Sequence, residues 1–311
     1  APGRAATDTR RSAARRQNLW IWLFLLPTTV LYGLYTLYPI VASYWYSLVE
    51  WNGFSDGQRF VGISNYEAVV ADPAFWASVK VTVVFMLLVA PARILLSLLL
   101  AIVLNSPKLP LRGLFRTVYF LPVVTTTAIV GVVMQFVFDP GSGPINSALR
   151  TFGISEGVDF LGSSGTALLT VSGVYVWKFF GITMIYWLAA LQTIPTDVYE
   201  AATIDGAGPL RTFRSITLPL LTPFVIIITV LTVEDTFRAF DLMQTMTGGG
   251  PFFSTEVIEI YIYRWAFAAS VPQLGFASAA AVIFGVIVMV VGALQLWAVY
   301  YSRRRRQELT S

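Results

Sequence analysis

The sequence predicts an all-α integral membrane protein with six transmembrane helices, on three observations. Of its 311 residues 56% are hydrophobic and only 12% charged, with a mean hydropathy of +0.69, whereas a soluble domain carries roughly 25% charged residues. Several apolar runs exceed the roughly 20 residues that a helix rising about 1.5 Å per residue needs to cross a hydrocarbon layer of about 30 Å. The cations, finally, are sorted between alternate connections. Helices are the expected spanning form, because lipid offers unpaired backbone groups no partner.

The spans are expected near 19–48, 76–105, 115–138, 166–192, 217–243 and 274–301. An even number leaves both termini on one side. That side collects Arg4, Arg10, Arg11, Arg15, Arg16, Lys108, Arg112, Arg116, Arg211, Arg214 and Arg303 to Arg306, while the other holds Arg59, Arg150 and Arg264. The positive-inside rule makes the first side cytoplasmic. The chain then divides into a basic cytoplasmic arm at 1–18, a membrane domain at 19–301 and a basic cytoplasmic tail at 302–311. The apolar stretch after the arm is too long and too aromatic for a cleaved signal peptide and reads as a signal-anchor helix. "RRRR" at 303–306 reads as a stop-transfer anchor, and with a net charge of +4 so sorted, no nucleic-acid partner is called for.

Zero histidines and zero cysteines remove the commonest general base, thiolate chemistry, disulfides and the usual metal ligands, so most enzyme classes and a metal site are not expected. The lysines outside the cationic clusters, Lys80 and Lys178, and Lys108 within them all lie outside any phosphate-loop motif. The outer connections are 49–75, 139–165 and 244–273. In the last, Gly248, Gly249 and Gly250 before Pro251 are expected to end the fifth helix and reverse the chain. "STEVIEIYIYRWAF" at 254–267 is too short to span and reads as an outer-leaflet or pore-entrance helix.

Between the fourth and fifth spans lies "EAATIDGAGPLRTFRSITLPLLTP", residues 200–223. Asp197 and Glu200 form a capping-box-like helix start, and Gly206 with Gly208 stops that helix after about two turns. Pro209 opens a second short helix. Its Leu210, Phe213 and Ile216 fall on one side and Arg211 and Arg214 on another, before Pro219 and Pro223 bend the chain into the fifth span. Small Ala201 and Ala202 beside Glu200 suit a docking element that another surface approaches closely; a simple connection between two spans fits equally.

The fifth span carries Glu234, Arg238 and Asp241 at i, i+4 and i+7, with Asp235 and Thr236 beside them. Charges at this depth are costly, so they either form a buried network that fixes helix packing or face a water-filled solute path. On the fourth span Tyr175 and Trp177 are packing aromatics or a stacking surface, and Lys178 and Arg93 are cavity, pairing or snorkelling residues.

The 200–223 segment matches the cytoplasmic EAA motif, and with it the chain resembles the permease subunits of ABC importers. The matching positions are Glu200, Ala201, Ala202, Asp205, Gly206, Ala207, Phe213, Ile216, Leu218, Pro219 and Pro223. "FVGISNYEAVVADPAFW" at 60–76, "LQTIPTDVYEAA", "FDLMQTMTGGGP" and "YRWAF" are similar to the carbohydrate type found in maltose and glycerol-3-phosphate importers, on the first-permease side of the pair. The likeness covers most of residues 20–300; "MIYWLAALQTIP" departs slightly from the family's leucine-rich run.

The resemblance implies the type I importer architecture with a coupling loop at about 196–217 seated in a cleft of a separate ATPase. Glu200 would be the charged contact and Gly206 the turn. It implies that the fifth span lines the solute path, with Asp235, Thr236 and Arg238 contacting hydroxyls. It further implies a bacterial inner-membrane location and a sugar-like or glycerol-phosphate-like solute. The partners would be a second, similar permease, a homodimeric cytoplasmic ATPase and an extracytoplasmic solute-binding protein or lipoprotein. No cofactor is expected in this chain; ATP and Mg²⁺ would be bound by the ATPase, and the chain would be no enzyme itself.

Two rivals use the same charges. An ion-coupled secondary transporter explains intramembrane carboxylates but has no need of the 200–223 segment. An aspartyl protease needs two carboxylates close enough to share a proton, which Asp235 and Asp241, six residues apart on one helix, do not supply.

Overall fold

The computed structural model describes residues 20–54, 57–107, 109–154 and 157–310. The arm at 1–18, Lys108 and the side chains of Arg303 to Arg306 lie outside the described residues. Two compact units divide the chain: Ala1–Val69 with Trp265–Ile283, and Val70–Arg264 with Phe284–Ser311.

In the first unit, α1 (Trp20–Tyr46) is apolar along its length and buries nothing within the chain. Its turn at Gly33–Leu37 widens to a π-turn just before Pro39, whose missing N–H already interrupts the ladder. The all-helical expectation needs one amendment here. Two short strands, β1 (Val49–Glu50) and β2 (Arg59–Phe60), pair antiparallel with Val49 opposite Phe60 and Glu50 opposite Arg59. The hairpin is tied to α2 (Ser64–Ala71) through Asn65, whose amide donates to the Ser47 carbonyl at 2.9 Å and the Val49 carbonyl at 3.0 Å.

The second unit is built on two long helices, α3 (Pro73–Asn105) and α7 (Ala167–Leu191). Asp72 caps α3, accepting from the Ala74 amide at 2.9 Å, and Pro73 occupies the first turn where its missing N–H costs nothing. Phe85 and Val89 of α3 pack with Val171, Val174 and Tyr175 of α7 in one cluster; Leu98, Ala101 and Leu104 pack with Met184, Trp187 and Leu191 in another.

The third span departs from expectation. In place of one helix over 115–138 there are α4 (Arg112–Val124) and α5 (Thr127–Val137), bent by 97°. Pro122 removes a backbone donor, and Thr125 and Thr126 are extended, so carbonyls at the bend lose their helical partners. Lys178 of α7 supplies donors there: its Nζ reaches the Pro122 carbonyl at 3.0 Å, which also accepts the Thr125 amide at 3.3 Å, and the Thr125 carbonyl at 2.6 Å, from a residue that is 1% exposed. The bend lies against α7 because Gly181 has no Cβ; one would meet the Tyr119 carbonyl. α6 (Pro144–Thr151) follows in the connection between α5 and α7.

After α8 (Thr196–Ile204), the fifth span also differs at both ends. Pro219 and Pro223 do not separate a second short helix from the span; α9 runs unbroken over Pro209–Thr236. A π-turn at Phe213–Thr217 opens the ladder just ahead of Pro219 and absorbs the ring that would otherwise break it. At the other end the helix stops at Thr236, and α10 (Phe240–Met246) begins after a three-residue break. Leu221 and Ile228 of α9 join the cluster around Trp187, whereas Leu242 and Met243 of α10 join the cluster around Tyr175. The glycine run thus ends α10, not the fifth helix, with Gly248 and Gly249 at φ +58 and +87.

The segment expected as a helix over 254–267 contains α11 (Ile258–Tyr263) and a π-turn at Arg264–Ala268. The last helix, α12 (Leu274–Thr310), continues into the segment expected as a tail. Among the described residues, five helices are long and apolar enough to cross a membrane, or six if the bent α4–α5 pair is one span.

Candidate functional site

Arg93 stands in the middle of α3, 2% exposed, two residues after Pro91. A charge held so far from water requires a partner. Its Nη1 meets Asp235 Oδ2 of α9 at 2.5 Å, its Nε donates to the Thr183 hydroxyl of α7 at 2.8 Å, and its guanidinium carbon lies 5.5 Å from the Phe179 ring centroid. One side chain therefore fixes three helices at one level. Tyr175, 1% exposed, donates from its hydroxyl to the Asp235 backbone carbonyl at 2.7 Å. Its ring packs against those of Phe85 and Phe179.

Beside this ion pair is a cavity of about 280 Å³ lined by Arg93, Phe179, Tyr186, Glu234, Asp235 and Arg238. Arg238 donates to Glu234 at 2.9 Å across the end of α9, both side chains being open to solvent. The cavity thus holds two guanidiniums and two carboxylates, already paired, with two aromatic rings on the wall.

Three further candidates from the sequence do not line it. The expected i, i+4, i+7 stripe is cut by the break after Thr236, so Asp241 sits on α10 and is absent from the cavity wall. Thr236 is 1% exposed and its hydroxyl donates to its own helix at the Val233 carbonyl, 2.6 Å away. Trp177, 43% exposed, lines a different and almost wholly apolar groove with Met134, Phe138, Ile145 and Leu169.

The break itself is held from the connection that follows α10. Glu259 of α11 accepts from the Phe240 amide at 2.8 Å, capping α10 as its first turn begins. The rest of that connection is latched to α3: Ser78 donates to Glu256 at 3.3 Å, Thr82 accepts from the Ile258 amide at 2.9 Å, and the Tyr261 hydroxyl donates to Asp72 at 2.6 Å. Glu256, 2% exposed, is neutralised by Arg264 at 2.7 Å. The Ser78, Thr82 and Asp72 contacts join residues 176 to 189 positions apart, which no local pattern reveals.

At the opposite end of α9, the 196–208 segment forms a helix and a locked turn. The capping box is not formed: Pro195 occupies the N-cap and no side chain caps the helix, Asp197 interacting instead with the Thr196 hydroxyl. The C-terminal end is closed by a Schellman motif, the Ala207 amide donating to the Ala202 carbonyl and the Gly206 amide to the Thr203 carbonyl. Gly206 takes φ +70, which L side chains resist.

Glu200, Ala201, Asp205 and Gly206 are exposed and Ala207 partly so, but Ala202 is buried, so the alanine pair does not form one open surface. The prominent apolar side chain on the segment is instead Ile204, 86% exposed. On the first turns of α9, Phe213 and Ile216 are partly covered and Arg211 and Arg214 exposed, as expected; Leu210 is exposed, turned from that face by the π-turn. Among the described residues no group of three or more acidic side chains could hold a metal ion.

The family model for the "binding-protein-dependent transport system inner membrane component" matches residues 93–307. The lactose transport system permease protein LacF of Rhizobium radiobacter is 34% identical over 304 residues, 97% of this chain and 100% of that one. The sn-glycerol-3-phosphate transport system permease protein UgpA of Yersinia pestis is 34% identical over 293 residues, 93% of this chain and 96% of that one. Among solved structures, a bacterial ABC transporter involved in the import of the acidic polysaccharide alginate matches with a TM-score of 0.79 at 22% identity, over 94% of this chain and 99% of that one. The fold is therefore that of an importer permease.

Proposed function

Because the chain belongs to the family of binding-protein-dependent transport system inner membrane components, we propose that it is the permease subunit that moves a sugar-like solute through the charged cavity, driven by ATP hydrolysis in another chain. The observation that carries this reading is the continuity of α9. One rod, Pro209–Thr236, about 42 Å long at 1.5 Å per residue, has the locked turn at Gly206 at one end and Glu234 and Asp235 at the other. A displacement of the turn is transmitted to the cavity as a rigid-body motion, the kind of two-state change that nucleotide binding biases.

In this reading the α4–α5 pair counts as one span, giving six, and the cation distribution places both termini and the 196–217 loop in the cytoplasm. The 1–18 arm, 19–301 membrane domain and 302–311 tail follow. Glu200 and Ile204 meet the cleft of a homodimeric ATPase, which binds ATP and Mg²⁺; a second, similar permease completes the solute path, and an extracytoplasmic binding protein delivers the solute. The permease is not an enzyme.

Neutral sugars are favoured over phosphate esters because both cavity guanidiniums are already matched by carboxylates. Planar charged groups held by one another still present hydrogen-bonding edges to vicinal hydroxyls, whereas a phosphate would seek an unmatched arginine. The relatives named for lactose and for glycerol 3-phosphate mark the two alternatives. ATP-dependent uptake in proteoliposomes containing both permeases, the ATPase and the binding protein tests the reading. Uptake driven by an ion gradient without ATP would overturn it, and uptake of glycerol 3-phosphate but no neutral sugar would overturn the solute class.

A further inference from the structure

The first outer hairpin lines a pocket that shares no residue with the charged cavity. It measures about 620 Å³ and is lined by Glu50, Trp51, Asn52, Arg59, Gln273 and Phe276, with Asn65 at its base. Its walls are fixed. The Gly275 amide donates to the Trp51 carbonyl, and Gly275 lies so close to the Val49 carbonyl that a Cβ has no room. Asn65 pins the Ser47 and Val49 carbonyls, Trp51 packs on Tyr46 with ring centroids 4.9 Å apart, and Phe276 packs on Trp265 at 5.0 Å. On the rim Glu50 and Arg59 form an ion pair.

Two aromatic rings beside two primary amides and a matched carboxylate–guanidinium pair are the groups that hold a polyhydroxylated ring. The rings cover its apolar face, and planar amides and ions engage adjacent hydroxyls. The paired charges leave no surplus for an anion. The geometry points to a second, outer binding pocket for a neutral sugar, formed by Trp51, Asn52, Gln273 and Phe276. This rests on the proposed function, which supplies the outer orientation and the solute class.

The complete transporter in nanodiscs, without binding protein, tests it by saturation-transfer NMR with lactose, maltose and sucrose as probes, alongside ATP-driven uptake by the full system. Transfer to at least one sugar that the wild type also imports is expected. Trp51→Ala and Gln273→Ala should each reduce that signal by about threefold to tenfold, the scale of one lost aromatic or hydrogen-bonded contact. Trp51→Phe should restore it. An imported sugar whose signal is unchanged in both pocket variants overturns the pocket and leaves the transport function standing. An unchanged sugar signal with weakened stimulation of the ATPase by the binding protein overturns it in favour of a protein-docking surface. Import of no neutral sugar by the wild type overturns the solute reading itself, and the pocket with it.

Discussion

Arg93 and Asp235, 142 residues apart in the chain, meet at 2.5 Å with the arginine side chain 3% and the carboxylate 36% exposed. The asymmetry makes the two ends of the pair unequal. Removing Asp235 strands a buried guanidinium with the Thr183 hydroxyl and the Phe179 ring for company; removing Arg93 leaves a carboxylate that water reaches.

Asp235→Ala is therefore expected to cost about 3 kcal/mol of stability, the scale for leaving a buried charge unpaired, and Arg93→Met about 1 kcal/mol, since solvent screens the remaining carboxylate. The double variant Arg93→Met with Asp235→Leu should recover assembled complex in detergent yet stay inactive in uptake, if the pair serves the solute as well as the fold. Full transport by the double variant would reduce the pair to packing.

Gly206 sits at φ +70 in the Schellman turn. Nothing crowds its missing Cβ, so the obstacle to substitution is backbone strain, about 1–2 kcal/mol for an ordinary residue in the left-handed region. Gly206→Asn, which tolerates that region, should insert and transport at a reduced rate. Gly206→Val should insert normally and lose transport, because the turn could no longer seat against its partner. Normal uptake by the valine variant would sink the coupling role; membrane fractionation separates this from failed insertion.

How much of this was legible can be argued residue by residue. Gly206 and Pro209 announced themselves, because a left-handed cap and a first-turn proline are local requirements. Glu234 with Arg238 was legible as an i, i+4 pair. The break after Thr236 was not: no proline or glycine marks Phe237–Ala239, and the interruption is maintained by Glu259 from elsewhere in the chain. The 97° bend was half visible in Pro122, but its dependence on Lys178 is a tertiary fact. Arg93 was conspicuous as a lone cation in an apolar run, and only the packing of α3 beside α7 and α9 identifies Asp235 as its partner. Ala202 reads as open on a helix diagram and is covered in the fold.

Lys178 closes the bend between α4 and α5 by donating to two carbonyls, that of Pro122, which also accepts the Thr125 amide, and that of Thr125. Lys178→Met keeps the length and the apolar stem but removes both bonds, leaving the Thr125 carbonyl without its donor while Pro122 keeps the Thr125 amide, and should destabilise the permease by about 1–3 kcal/mol, the cost of one stranded carbonyl. Lys178→Arg should recover part of this. The check is a thermal melt of the purified complex combined with protease sensitivity of the 106–114 connection; an unchanged melt in Lys178→Met would mean that the bend holds itself.

Glu259 lies outside the candidate membrane-crossing helices, and burial pushes its carboxyl up to about 7 from 4.5, with Asp241 raising it further and the Phe240 amide and Arg238 opposing. The sign follows from linkage. A carboxyl harder to ionise in the folded protein than in the unfolded chain contributes stability that is fully present below about 4.5 and is lost as pH rises through about 7. Glu259→Gln keeps an oxygen to accept from the Phe240 amide at the start of α10 but cannot ionise. The wild-type melting temperature should therefore fall relative to Glu259→Gln between pH 5 and pH 8, roughly the interval that the shift spans, and Glu259→Ala should lie below both at low pH because α10 loses its cap. Parallel wild-type and Glu259→Gln curves across that range would show that the carboxyl is already ionised throughout, and that the cap acts as a fixed charge on the helix terminus.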